Sequence, residues 1–267
     1  SLNPNDDGLV AEIKGASSGR TIAFRADMDA LHVKEETGAP YQSIIGGQMH
    51  GCGHDAHTAM LLGVAKILNQ MKEDFEGTIR LVFQPGEEKL PGGASIMIQH
   101  GVLKDVDAII AQHVYPDLPC GEVGFLAGEF MASCDEINIT IKGKGGHAAK
   151  INERSNTTVA AAKLLCAISE LSSEFNKEER KNPIIIAFGS FIADGTYNVI
   201  PNEVTLKGTM RTFDENDRKT IKNKIKELCA EVASSFNVEA DLFIEEGYPV
   251  LINDVSLTNL LKNKAVD

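Results

Sequence analysis

Short apolar runs alternate with helix-periodic segments through the first 115 residues. The runs at 79–83 and 108–111 are almost continuously apolar, which is typical of strands that are covered on both faces. The pattern predicts strands at 9–13, 21–26, 78–83 and 108–114, and helices at 55–71 and 93–100. This order favours an α/β layer with a mainly parallel sheet.

The pattern changes after residue 122. The predicted elements are then, in order, a strand at 137–141, a helix at 159–175, strands at 184–191 and 204–212, a helix at 214–236 and a strand at 238–244. Asp214 is expected to open the second helix, where its charge suits the positive N-terminus. The order β-α-β-β-α-β is a split unit of the ferredoxin-like kind.

The two patterns predict two domains. We expect residues 1–124 and 247–267 to form the first, and residues 125–246 to form a second domain inserted into it. The segment after residue 247 has helical character, but it is too short to complete a first domain of this size. The chain is therefore expected to be truncated.

Composition and charge narrow the class of protein. With 267 residues, 43% hydrophobic and 24% charged, the chain has the composition of a soluble globular protein. No apolar run approaches the roughly 18 residues that span a bilayer, and the polar first residues do not form a signal segment, so we expect the cytoplasm. The net charge of -12 disfavours nucleic acid or an anionic membrane as partner, and a small-molecule substrate is expected.

Residues 50–57 are the densest group of potential metal ligands. They contain three of the seven histidines and Cys52, just before a predicted helix, and thiolate and imidazole are ligands that zinc and similar ions prefer. The five cysteines have no regular spacing, which argues against a disulfide framework. The others are interpreted as structural thiols: Cys120, Cys134, Cys166 and Cys229.

Two further features follow predicted strands. Glu87 and Glu88 come after the strand at 78–83, and His113 lies at the end of the next strand. Alone, a glutamate pair more often marks a solvated loop, and a lone histidine is more often a structural group. Because open α/β sheets place their sites at the carboxyl ends of strands, these residues and the histidine-rich segment are expected to converge.

Four segments taken together resemble a known family. Residues 25–31, 50–57, 84–88 and 145–149 are similar, in order and spacing, to the metal-dependent amidohydrolases related to aminoacylase, hippurate hydrolase and the plant indole-acetyl-amino-acid hydrolases. The resemblance implies hydrolysis of the amide bond of an N-acyl amino acid or a related small amide. It also implies a three-layer catalytic domain, with the inserted domain acting as a lid and dimerisation domain.

The resemblance further implies a site with two divalent metal ions, zinc, manganese or cobalt. The implied ligands are Cys52, His54, Glu88 and His113. Glu87 would be the general base that takes a proton from a metal-bridging water and passes it to the leaving amine. Asp27 would be an acid that orients one of the ligands.

In the inserted domain the resemblance points to three more residues. His147 would reach the site of a neighbouring subunit and stabilise the oxyanion, while Asn198 and Arg211 would hold the free carboxylate of the substrate. A homodimer through this domain is therefore expected. Without the resemblance, His147 and Arg211 would be interpreted as surface residues. His57 is assigned only to packing near the site.

The sequence departs from the family in three places. Relatives contribute one more histidine ligand from the C-terminal part of the catalytic domain and have a longer N-terminal segment, so we expect a fragment of a longer enzyme. Residues 148–156 also lack the proline-containing stretch that is common in relatives. The alternative is a non-catalytic family member that acts as a binding or scaffold protein. A zinc nucleobase deaminase is excluded because the chain has no Pro-Cys-x-x-Cys segment.

Overall fold

The computed structural model describes residues 8–153, 155–177 and 180–266. They form two compact units, one ending at Val123 and the other beginning at Gly124. Residues 1–7, 154, 178–179 and 267, which belong to the predicted domains, lie outside the described residues. Within the described ranges, no helix combines the length and the apolar character that crossing a membrane requires.

The first unit is an α/β layer. Its elements are β1 (Leu9–Lys14), β2 (Thr21–Asp27), α1 (His54–Gln70), β3 (Thr78–Gln84), α2 (Gly93–Gln99) and β4 (Ala108–Ala111), with a 3-10 turn at Lys72–Asp74. The strand order is β1-β3-β2-β4. Among these strands, β2 is parallel to both β3 and β4, whereas β1 is antiparallel to β3. The mainly parallel sheet is confirmed, with one antiparallel edge strand that the sequence pattern did not distinguish.

Helices cover both faces of this sheet. Leu81 and Phe83 pack with Leu61 of α1 on one face, while Val82 packs with Met97 of α2 on the other. Successive residues of β3 therefore point into two different cores, which explains the continuous apolar run at this strand. The three layers agree with the predicted catalytic architecture.

The last strand of this unit is shorter than the sequence predicted. The strand was expected to reach residue 114, but β4 ends at Ala111. The backbone N–H of Val114 donates to the Nε2 atom of His57, 2.9 Å away, rather than to a neighbouring strand. The N–H of Val114 is thus bonded to a side chain, and His113 lies in an irregular segment.

The second unit contains the predicted split β-α-β-β-α-β order. Its elements are β5 (Gly128–Met131), β6 (Asp135–Lys142), β7 (Gly146–His147), α3 (Thr157–Phe175), β8 (Ile185–Ile192), β9 (Val199–Ile200), β10 (Glu203–Arg211), α4 (Glu215–Phe236), β11 (Glu239–Glu246), β12 (Leu251–Asn253) and α5 (Val255–Val266), with a 3-10 turn at Ile151–Glu153. The main sheet has the order β11-β6-β10-β8, and its strand pairs are antiparallel.

The core of the second unit lies between this sheet and the helices α3 and α4. Ile137, Ile139 and Ile141 of β6 are fully buried against Leu164 of α3 and Ile225 of α4. Asp214 caps α4 as predicted, since its carboxylate accepts the backbone N–H groups of residues 216 and 217. The alternating strand and the two amphipathic helices therefore bury the faces that the sequence pattern indicated.

Two small strand pairs were not predicted. β5 pairs with β12, and β7 pairs with β9, both antiparallel. They are two to four residues long, too short to produce a recognisable alternation. In this chain β12 and α5 belong to the second unit. The assignment of residues 247–267 to a catalytic domain, and of 125–246 to an insertion, stays a prediction.

A buried ion pair joins β6 to α4. Both carboxylate oxygens of Asp135 accept hydrogen bonds of 2.8 Å from the Arg218 guanidinium, and Lys222 lies 3.1 Å away. Burial alone would raise the pKa of Asp135, but the hydrogen bonds from Arg218 and Lys222 hold it below its ordinary value. Arg218 also donates to the carbonyl of Gly247, so the network reaches the segment after β11.

Replacing Asp135 should test this network. We expect Asp135→Asn to lower the free energy of unfolding by about 3–5 kcal/mol at neutral pH, because the buried Arg218 would lose its buried counter-charge and keep only the half-exposed Glu215, 3.2 Å away. Since the folded-state pKa of Asp135 is lowered, its stabilisation is present above the ordinary aspartate pKa and is lost as the pH falls through the lowered value. Urea unfolding followed by circular dichroism measures both effects.

The matched control is Asp241→Asn. Asp241 pairs with Lys142 at 2.7 Å on the same sheet, but both side chains are about half exposed, and this exposed pair is expected to contribute about 0.2–1 kcal/mol. Equal losses of stability in the two variants would show that the burial of Asp135 does not matter.

Candidate metal centre

The predicted ligand segments meet at the carboxyl edge of the first unit's sheet. The parallel strands β2, β3 and β4 end there, at Asp27, Gln84 and Ala111. The loops that follow them carry Glu87, Glu88 and His113, and the N-terminus of α1 carries the histidine-rich segment. Parallel strands bring their carboxyl ends to one side, so residues distant in sequence become neighbours.

A sharp turn at Gly53 places Cys52 and His54 on either side of the start of α1. Gly53 has a φ of 80°, in the left-handed region that favours glycine. A Cβ atom at this position would lie 2.3 Å from Cγ2 of Val114. The turn therefore requires glycine both for its backbone conformation and for its close approach to the loop that carries His113.

The four predicted metal ligands lie together. The Sγ atom of Cys52 is 3.4 Å from Nε2 of His113, and Nε2 of His54 is 3.9 Å from Oε1 of Glu88. Among the described residues, three groups have ligand atoms within 4.8 Å of one another: Cys52 with His54 and His113, His54 with Glu87 and Glu88, and Asp27 with His54 and His57. His54 belongs to all three groups, so it lies at the centre of the cluster.

His54 is a buried polar group without hydrogen bonds. Its side chain is 0% exposed, and neither Nδ1 nor Nε2 has a hydrogen-bond partner, although Nδ1 lies 3.3 Å from Asp29. Leaving such a group unsatisfied costs about 1–3 kcal/mol. A cation would satisfy an imidazole nitrogen in this position. The donor set of thiol, imidazole and carboxylate therefore fits a divalent ion.

The neighbouring acids change the proton affinities in the cluster. Burial raises the pKa of Cys52 to about 11, and the hydrogen bond and negative charge of Glu88 add to this effect. Burial also raises the pKa of Glu87, with a further contribution from the charge of Glu88. A bound divalent cation reverses such shifts, because it favours the thiolate and the carboxylate.

Asp29 holds the glutamate loop and was missed by the sequence analysis. Its two carboxylate oxygens accept the backbone N–H groups of Glu87 at 2.9 Å and Glu88 at 3.0 Å. Burial would raise the pKa of Asp29, but these hydrogen bonds hold it below its ordinary value. The available signal was its position two residues beyond Asp27, just past the end of a buried strand.

Asp27 contacts His57 and Arg25. Its carboxylate accepts a hydrogen bond of 2.6 Å from Nδ1 of His57 and one of 2.7 Å from Nη1 of Arg25, and its Oδ2 lies 3.7 Å from Nε2 of His54. Burial would raise the pKa of Asp27, but these partners hold it below its ordinary value. The expectation that Asp27 orients a metal ligand stays a prediction.

The three site residues predicted in the second unit do not all meet. The adjacent strands β7 and β9 pair His147 with Val199, and the N–H of residue 148 donates to the carbonyl of Asn198, so His147 and Asn198 are neighbours. They lie near the start of β10. Arg211 is the last residue of that strand, about 26 Å further along at about 3.3 Å per residue. All three side chains are exposed.

The raised pKa of Cys52 predicts its reactivity in metal-free protein. Because the thiolate is the reacting species, Cys52 should react slowly with iodoacetamide at neutral pH, at a rate that rises with pH up to about 11. Mass spectrometry of the Cys52 peptide after chelation and timed alkylation measures this rate. The exposed Cys120 in the same sample controls for the reagent. A rate for Cys52 that levels off near neutral pH would contradict the burial argument.

The chain is similar to several known proteins. The family model described as peptidase family M20/M25/M40 matches residues 23–267. The chain is 39% identical over 261 residues to N-acetyl-L-cysteine deacetylase of Bacillus subtilis (strain 168), an alignment that covers 97% of the chain and 61% of that relative. It is 37% identical over 250 residues to N-acyl-L-amino acid amidohydrolase of Geobacillus stearothermophilus, covering 94% of the chain and 67% of that relative.

A solved structure also matches. It is a Bacillus subtilis protein described as a dinuclear metal binding peptidase from the M20 family, with a TM-score of 0.79 and 34% identity over 97% of this chain and 66% of that chain. The chain thus spans about two thirds of the length of the proteins it matches. With a family match from residue 23 to residue 267, the chain belongs to peptidase family M20/M25/M40.

Proposed function

We propose that this chain provides the metal centre of a hydrolase that cleaves the amide bond of N-acyl amino acids or related small amides. The observation that carries the proposal is the convergence of three loops, which brings Cys52, His54 and His113 together and sets Glu87 and Glu88 beside them. The names of the relatives, a deacetylase and an amidohydrolase, support the same reaction class.

Two divalent ions, zinc, manganese or cobalt, would be held by this chain's residues. Cys52, His54, Glu88 and His113 would be the ligands. When bound, such ions polarise the scissile carbonyl and make water a stronger acid. A mixture of thiol, imidazole and carboxylate ligands favours a metal ion of intermediate softness. The two buried nitrogens of His54, which have no hydrogen-bond partner, support a ligand role for that residue.

Glu87 would be the general base. It takes a proton from the attacking water, whose oxygen forms a bond to the carbonyl carbon, and it returns this proton to the amide nitrogen as the C–N bond breaks. A carboxylate with a raised pKa is suited to proton transfer, because it is a stronger base than an exposed glutamate. The bond from its backbone N–H to Asp29 holds it beside Glu88.

Residues of the second unit would complete the site in a homodimer. His147 would donate a hydrogen bond to the oxyanion in a neighbouring subunit, and Asn198 and Arg211 would hold the substrate's carboxylate. Asn198 lies near the start of β10 and Arg211 is its last residue. This long separation supports the arrangement, since two copies related by a two-fold axis can bring opposite ends of one sheet to the same substrate. Residues 125–246 would then be the lid and dimerisation domain of a catalytic domain made of 1–124 and 247–267.

A non-catalytic scaffold is not favoured. A binding protein would not need a fully buried histidine without hydrogen bonds beside a glutamate of raised pKa, because both features are costly unless a cation and a proton transfer use them.

Glu87→Gln should separate proton transfer from metal binding. We expect the intact protein with this substitution to hydrolyse N-acetyl and N-benzoyl amino acids about 10²–10⁴-fold more slowly, at unchanged metal content. In the unsubstituted protein, kcat should fall as the pH decreases and Glu87 becomes protonated, because the protonated acid cannot accept a proton. The control is Glu73→Gln, in an exposed turn away from the cluster. Equal turnover in Glu87→Gln and unsubstituted protein would remove Glu87 from the mechanism.

Mixed dimers should test the role of His147. Glu87→Gln and His147→Ala are each expected to be nearly inactive, but in a mixed dimer one site would combine an intact Glu87 with the intact His147 of the other subunit. Activity should therefore reappear after the two variants are co-expressed or exchanged. If both residues of a site come from the same chain, the mixture will stay as inactive as its components.

A further inference from the structure

We infer that His57 is a positioning residue for the metal centre: it holds the ligand His113 in place through the backbone of Val114, and Asp27 fixes the tautomer in which it does so. This inference rests on the proposed function, because it requires His113 to be a ligand. Neither His57 nor the contact to Val114 was assigned a role in metal binding from the sequence.

The hydrogen bonds of His57 determine its tautomer. The side chain is buried on α1, with Nε2 2.9 Å from the backbone nitrogen of Val114 and Nδ1 2.6 Å from Oδ1 of Asp27. A backbone N–H can only donate, so Nε2 must be the acceptor. The ring proton is therefore on Nδ1 and is donated to Asp27. Both ring nitrogens are satisfied in this one tautomer.

These hydrogen bonds indicate that His57 positions the metal centre and does not itself bind the ion. Asp27, His54 and His57 have ligand atoms close enough to share an ion. However, an imidazole binds metal through a nitrogen lone pair, and the lone pair of Nε2 already accepts the Val114 N–H. His54, one helical turn earlier, is the opposite case, since neither of its nitrogens has a hydrogen-bond partner. The two histidines of α1 therefore have different tasks.

Val114 connects His57 to the ligand. Its N–H is held by His57, and its carbonyl oxygen lies 2.6 Å from Nδ1 of His113, which can donate to it. That second contact leaves Nε2 of His113 directed to Cys52, 3.4 Å away. The backbone of Val114 is thus held through both its N–H and its carbonyl oxygen.

This contact is needed because the strand ends too early to hold His113. β4 stops at Ala111, and His113 is exposed in an irregular segment. A ligand on such a segment depends on individual hydrogen bonds for its position. Removing the outer hydrogen bonds of metal ligands typically costs about 10–100-fold in metal affinity.

Two substitutions of His57 affect its two hydrogen bonds differently. His57→Asn keeps an N–H that can donate to Asp27 but is too short to accept from Val114, whereas the longer side chain in His57→Gln has an amide oxygen that can reach that N–H. In the intact protein, titration with Zn²⁺ by calorimetry should give about 10–100-fold weaker binding for His57→Asn and a smaller loss for His57→Gln. With Co²⁺, the thiolate charge-transfer band of Cys52 should shift or weaken in His57→Asn.

Two further variants make the result decisive. Leu61→Ala removes a buried side chain on the same face of α1, one turn later, in the apolar core. It should lower the melting temperature of the metal-free protein without weakening Zn²⁺ binding, and it therefore measures the effect of lost packing alone. His113→Ala removes the ligand itself and should weaken binding at least as much as His57→Asn.

The possible outcomes separate the inference from the function on which it rests. If His113→Ala weakens Zn²⁺ binding but His57→Asn does not, or weakens it no more than Leu61→Ala, the positioning role of His57 is overturned while the metal centre stands. If His113→Ala binds Zn²⁺ as tightly as the unsubstituted protein, His113 is not a ligand, and both the proposed centre and the inference fail.

Discussion

The buried imidazole of His54 is the group on which the rest of the site depends. Its two nitrogens have no hydrogen-bond partner, yet they lie within 4 Å of carboxylates from Asp27, Asp29 and Glu88. A fold tolerates such a group when another partner satisfies it. A divalent cation held by His54 and its neighbours would do so, and would also offset the burial and the negative charge of Glu88 that raise the pKa of Glu87.

Hydrogen bonds from neighbouring side chains hold the loops that carry the predicted ligands. Asp29 holds the backbone of Glu87 and Glu88, and His57 holds the backbone next to His113. The first contact joins the glutamate loop to the segment just after β2, and the second joins the segment after β4 to α1. A site made of loops thereby acquires the fixed geometry that metal binding requires.

The sequence predicted helices and strands correctly where the hydrophobic periodicity was strong. It did not predict the contacts in the site that depend on single hydrogen bonds. The alternation in β6 and the amphipathic pattern of α4 led to the correct topology, because burial of one face determines both patterns. The sequence also indicated the segments whose potential metal ligands lie together, Cys52, His54, Glu88 and His113. It missed Asp29, whose role comes from peptide groups 58 and 59 residues away, and it extended β4 past Ala111, since no local pattern reveals that His57 takes the bond of Val114.

X-ray absorption spectroscopy of the zinc-loaded intact protein would show whether Cys52 and His54 bind the metal ion, because sulfur is distinguished from oxygen and nitrogen in the first coordination shell. The account predicts a sulfur ligand at about 2.3 Å that disappears in Cys52→Ser, together with imidazole scattering that decreases in His54→Ala. A shell of oxygen and nitrogen alone, unchanged by the loss of Cys52, would contradict a metal centre built from these loops.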